Sequence, residues 1–191
     1  MRRAFFSVFF LFFLVVICIF LAASALVASD EVTGVLEVSF RFERQSGPGS
    51  NQFAVWVEDS EGRCVRTLYA TGFTATGGWE NRPEAVKLWV ERSRLPEMTA
   101  SQVDAITGAT PATGDLKYEW DLTDAEGKPV AAGAYTLFVE GSLRSEKRVL
   151  YSVPFEVGMS ARDLEVGTEY FGDDCPERAM LSSVKARYTT R

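Results

Sequence analysis

The chain has 191 residues, carries 20 Lys and Arg against 26 Asp and Glu for a net charge of −6, and contains no histidine. The missing imidazole excludes Ser-His-Asp and Cys-His catalysis, His-ligated zinc and His-based pH switching. The acidic balance argues against nucleic acid as a partner, because phosphate binding needs a basic surface.

Met1-Arg2-Arg3 is followed by an uncharged apolar run from Ala4 to about Ala28. That is a positive n-region and a long h-region ending in small residues, with Ala23 and Ala25 at the spacing a signal peptidase accepts and Ala28 as a second candidate. Residues 1–28 therefore read as a signal peptide or as an uncleaved N-terminal membrane anchor, since a run of roughly 20 apolar residues also spans a bilayer. Either outcome places residues 30–191 in a periplasmic or other extracytoplasmic location, with membrane contact only through the leader if it stays. Cys64 and Cys175 remain in the exported part. An oxidising compartment favours joining them, and two unpaired thiols are the alternative.

Along the exported part, Leu36, Val38, Phe40 and Phe42 alternate with Glu37, Ser39 and Arg41, the period of a half-buried strand. After a loop at residues 46–51, Phe53 to Glu58 and Cys64 to Thr71 flank Asp59-Ser60-Glu61-Gly62 as a hairpin. The design repeats. Leu116, Tyr118, Trp120 and Leu122 lead into Asp124-Ala125-Glu126-Gly127, with Tyr135 to Glu140 as the return strand. Arg148 to Val157 is a further extended run in which Pro154 implies an edge or a bulge. Met180 to Thr189 adds a last strand through Val184, Ala186 and Tyr188. Between the two hairpins, Ala85, Leu88, Trp89 and Leu95 at helical spacing behind Pro83 predict one short helix near residues 84–94. Residues 99–115 and 158–177 read as long loops. Residues 30–191 are thus expected to form one mainly β domain, an antiparallel immunoglobulin-like β-sandwich of about seven strands with one short helix.

Most constellations have a plain structural reading. The acids Asp59, Glu61, Asp121, Asp124 and Glu126 lack the ligand spacing of a helix-loop-helix calcium site and suit ordinary turns. No carboxylate pair stands out for glycoside hydrolysis, and Trp56 and Trp120 lie within strand patterns rather than on an obvious sugar platform. Nothing in the residue pattern offers a positive sign of catalysis by this chain alone.

One segment differs: Asp104-Ala105-Ile106-Thr107-Gly108-Ala109-Thr110. It resembles the Asp-x-x-(Ser/Thr)-Gly-Ala-(Thr/Ser) sequence at which the bacterial FAD:protein FMN transferase joins FMN, through its phosphate, to the last hydroxyl. The resemblance implies covalent FMN on Thr110, with Asp104, Thr107, Gly108 and Ala109 completing the recognised segment. Small residues at 108 and 109 would let a bulky transferase site close around the acceptor. Pro111 follows directly, and a Thr/Gly/Ala loop before a strand also needs no functional explanation.

Two longer resemblances bear on the whole domain. From Asn51 to Ala75, through Gly77-Gly78-Trp79 and Arg82-Pro83, to Thr107-Gly108-Ala109-Thr110 and Gly133-Ala134-Tyr135, the chain resembles the domain-of-unknown-function family 2271 of predicted periplasmic proteins. Trp120 to Glu140, with its Asp-Ala-Glu-Gly turn, is similar to the immunoglobulin-like module of flagellar hook-capping proteins. The first implies a periplasmic location and the company of flavin transferases and membrane redox proteins. The second bears on fold, which confers no function. Three roles follow as expectations: a flavin carrier in extracytoplasmic electron transfer, a non-enzymatic binding or scaffolding module, or a carbohydrate-active protein.

Overall fold

A computed structural model of the protein describes residues 33–46, 51–144, 147–172 and 180–190. The leader at residues 1–28, part of the loop after the first strand, and Cys175 lie outside the described residues. Ten strands follow in chain order among those described: β1 Gly34–Phe42, β2 Gln52–Asp59, β3 Cys64–Thr71, β4 Thr107–Gly108, β5 Gly114–Trp120, β6 Gly133–Arg144, β7 Lys147–Val157, β8 Arg162–Leu164, β9 Gly167–Phe171 and β10 Leu181–Thr190.

They form a four-stranded sheet, β5-β1-β10-β8, and a six-stranded sheet, β4-β3-β2-β6-β7-β9. Every pairing is antiparallel except the two-residue contact of β4 with β3. The alternation in β1 sends Leu36, Val38, Phe40 and Phe42 into one core with Phe53, Val55 and Val57 of β2 and Leu137 and Val139 of β6. The two sheets therefore bury a common face, which makes the fold a mainly β sandwich. Phe40 meets Phe53 edge to face at 5.7 Å, a favoured ring geometry.

The six-stranded sheet is buried on its other face as well. Ala54, Trp56 and Ala70 lie beneath Val86, Trp89, Val90 and Leu95 of the segment between β3 and β4. This double cover explains why β2 is buried almost without interruption, where a strand of an open sandwich would alternate. Trp56, Trp89 and Trp120 are fully buried, so none of the three can present a platform to a sugar.

The helical layer is richer than the sequence pattern implies. The expected helix exists as α1, Lys87–Arg92, and starts later than Pro83 because Val86 takes a left-handed conformation. Glu140 of β6, fully buried, accepts the α1 N–H groups of Leu88 at 3.3 Å and Trp89 at 3.0 Å. It also receives the Arg148 guanidinium at 3.2 Å. This carboxylate thereby satisfies helix N–H donors that would otherwise be orphaned in the interior.

Four expectations are corrected. Residues 99–115 are not one loop: α2, Ala100–Ile106, begins at a capping box formed by Thr99 and Gln102, a Thr-x-x-Gln signal present in the sequence. Residues 158–177 contain β8 and β9, which are short and largely exposed, so backbone pairing holds them without any apolar alternation. The segment after β5 is not a hairpin. Its turn closes only a Thr123–Pro129 bridge, and the chain then crosses sheets, since β5 pairs with β1 while β6 pairs with β2 and β7. Finally, ten strands and a helical layer exceed the seven-strand, one-helix outline.

Other expectations hold. β10 pairs with β1 along its length, and Pro154 pairs with Thr136 of β6 but lies past the residues of β7 that β9 covers, so β7 is locally an edge there. The pairing of Cys64 with Cys175 lies outside the described residues, among which Cys64 is a free thiol.

Candidate functional site

The seven-residue segment ending at Thr110 is distributed over three local structures. Asp104 sits exposed on α2, whose Val103 and Ile106 pack against the core beneath the helices. The helix stops at Ile106, because Thr107 turns extended at φ −109° and ψ 150°. Thr107 and Gly108 then form β4, in parallel register with Ala70 and Thr71. Ala109 is exposed, and Thr110 is half-buried in irregular backbone beyond the last paired residue.

The segment is strapped rather than loose. A Cβ on Gly108 would lie 2.7 Å from Tyr69 Cε2, so a glycine is required for the ring to approach the backbone. The Tyr69 hydroxyl donates to the Ala109 carbonyl oxygen at 2.7 Å. Its ring stacks on Phe53 at 5.0 Å and tilts against Tyr118 at 5.1 Å, so the core fixes its position. Burial pushes the Tyr69 phenol above its ordinary value, the direction that favours the neutral donor. Further on, Thr113 Oγ accepts the Arg44 N–H at 3.0 Å and ties the segment to the chain after β1. The expected flexible Gly-Ala loop is thus corrected to a held segment, and Gly108 has a packing reason for its size. No local signal in the sequence pairs Tyr69 with this segment.

Beside it runs a groove of about 510 Å³ between α2 and the first half of β3, with Cys64, Leu68, Ser93, Met98, Gln102 and Ile106 in its walls. Ser93 is only 8% exposed, and its Oγ is buried without a hydrogen-bond partner among the described residues. Burial pushes the Cys64 thiol up to about 11, with Thr67 Oγ as its side-chain neighbour at 3.8 Å.

The acidic turns are occupied by their own backbone. Asp59 Oδ1 accepts from Glu61 N and Arg63 N, and Asp124 Oδ1 accepts from Glu126 N and Lys128 N, in the same pattern. Gly62 and Gly127 supply the left-handed positions at φ +74° and +78°. Burial alone would raise the Asp59 carboxyl, but the Arg63 N–H and guanidinium hold it below the ordinary carboxylate range. No cluster of three or more metal-ligating residues occurs among the described residues. No helix among them is long and apolar enough to cross a membrane.

A family model described as predicted periplasmic protein (DUF2271) matches residues 36–173, a span that contains the whole segment from Asp104 to Thr110. No curated protein and no solved structure matches the chain.

Proposed function

The chain belongs to the DUF2271 family of predicted periplasmic proteins, and we propose that it serves there as a carrier of FMN bound covalently to Thr110. The observation that carries the reading is the position of Thr110. Half-buried, it follows the Asp104 to Ala109 segment outside the strand ladder, with the carbonyl just before it held by Tyr69. A transferase needs an acceptor hydroxyl on accessible backbone in a defined place, and a pinned segment offers one at lower ordering cost than a loose loop.

The chemistry asks little of this chain. Thr110 Oγ attacks the FMN phosphorus of FAD, the pyrophosphate bond breaks, AMP leaves, and the hydroxyl proton passes to a base of the transferase. The product is a threonine phosphoester with the flavin's oxidation state unchanged. When bound, the flavin supplies electron transfer. The partners of this reading are an FAD:protein FMN transferase and a membrane redox protein that exchanges electrons with the carrier.

The test is intact-mass analysis of the full chain after co-expression with the transferase. The wild type and Thr113→Ala should gain one FMN less one water, and Thr110→Ala should gain nothing. An unmodified wild type, or flavin retained by Thr110→Ala, overturns the proposal.

A further inference from the structure

We infer that Tyr69 and Pro111 hold the backbone on either side of Thr110, so that the transferase meets the acceptor hydroxyl already placed. Tyr69 is the positioning residue, and the inference rests on the attachment proposed above.

The first hold acts through one planar peptide unit. The Ala109 carbonyl shares its plane with the Thr110 N–H and Cα, and a peptide plane resists twisting. By donating to that carbonyl at 2.7 Å, the Tyr69 hydroxyl therefore fixes where Thr110 begins. Core packing accounts for the Tyr69 ring, whose centroid lies 5.0 Å from that of Phe53 and 5.1 Å from that of Tyr118. It does not account for the hydroxyl. A phenylalanine would fill the same space, and the bond to Ala109 is what the oxygen adds.

The carbonyl is also held from behind. β4 pairs with Ala70 and Thr71 immediately before Ala109, and Gly108 admits the Tyr69 ring against its backbone. Ala109 thus leaves a paired strand and at once meets a ring that the core immobilises.

Pro111 supplies the second hold. A proline ring crowds the residue before it and disfavours the helical region there, so Thr110 loses freedom in ψ. Thr110 is indeed non-helical. Threonine is also β-branched, which restricts χ1. With the preceding plane held, ψ confined and χ1 restricted, few directions remain for Oγ.

Such a frame acts on binding rather than on chemistry. For a transferase that takes one conformation of the acceptor, apparent affinity falls with the fraction of chains in that conformation. Freeing either hold lowers the fraction. Once the segment is bound, the attack of Oγ on phosphorus is the same with or without the hold. The loss therefore falls on KM and leaves kcat unchanged.

The experiment uses full-length protein made without the transferase. Initial rates of FMN incorporation are read by intact mass over a range of acceptor concentrations, at fixed transferase and FAD. Tyr69→Phe keeps the ring and removes the hydroxyl, so its KM should rise about two- to tenfold at unchanged kcat, the range one net hydrogen bond supports. Pro111→Ala should raise KM as well. Tyr135→Phe is the control, because it deletes a like bond outside the segment, from the Tyr135 hydroxyl to the Ala131 carbonyl at 2.9 Å. Its KM should match the wild type. A KM that stays at the wild-type value in Tyr69→Phe or in Pro111→Ala overturns the inference and leaves attachment standing. So does a loss confined to kcat, a KM that falls because the segment has to be released, or an equal rise in Tyr135→Phe. A wild type that gains no flavin overturns the attachment and the positioning together.

Discussion

The Tyr69 hydroxyl and the Ala109 carbonyl, 2.7 Å apart, join the second hairpin strand to the segment that ends in Thr110, and the ring of the same tyrosine occupies the space a side chain at 108 would need. Gly108→Ala should therefore destabilise the protein by about 1–3 kcal/mol through overpacking. The effect should shrink in the Tyr69→Ala background, where the clash is absent. Urea denaturation of the four members of the cycle measures the coupling. Additive effects would show that Gly108 is not constrained by Tyr69.

Glu140 is the buried counterpart of that contact on the helical side. Glu140→Ala leaves the first N–H groups of α1 orphaned and takes the carboxylate away from Arg148. A loss of about 3–5 kcal/mol is expected, the range for breaking a buried charged network.

The pH dependence of the same group has a definite sign. Burial raises the Glu140 carboxyl above its ordinary value of 4.5, although the Trp89 and Leu88 N–H groups and Arg148 work in the other direction. In the window between 4.5 and that raised value the folded state binds more protons than the unfolded state, so this contribution is full below 4.5 and is lost as pH rises. Relative to Glu140→Gln, the wild type should gain stability as pH falls from neutral toward 4.5, read from denaturation midpoints at a series of pH values. A difference that narrows on acidification would mean the carboxylate is favoured by folding instead.

Cys64 should be nearly inert. With its thiol pushed up to about 11 by burial, it holds roughly a hundredfold less thiolate at neutral pH than an ordinary cysteine. Iodoacetamide labelling of native protein, read by peptide mapping at Cys64, should be slow and should become fast on unfolding. Rapid labelling of the native state would contradict the burial.

Thr99→Ala removes the hydroxyl that accepts the Gln102 N–H and so opens the capping box of α2. A cost of about 1 kcal/mol is expected. Hydrogen exchange should localise it to the helix carrying Asp104, and uniform exchange across the chain would not fit a local cap.

What was legible in the chain follows what each signal depends on. The alternation of β1 was readable because one face of that strand meets the core and the other meets solvent, and the Asp-x-x-Gly turns were readable because their chemistry is local. The helix at Ala100–Ile106 carried a readable cap in Thr99 and Gln102 that a Thr/Ala/Gly-rich composition obscured. β8 and β9 had no side-chain signal, since strands held mainly by their backbone leave no hydrophobic period. The two acidic turns look alike in sequence and close different connections, because strand pairing depends on partners far along the chain.

By itself the sequence determined the absence of histidine chemistry, the mainly β character, the family, and the segment with Thr110 at its end. These rest on composition, on period and on contiguous residues. Only the tertiary structure decided that β5 leaves its turn for the other sheet, that Tyr69 requires a glycine at 108, and that α2 and β3 wall one groove beside the segment. Each of those joins residues distant in the chain, and close packing between layers brings them together without any pattern in the local sequence.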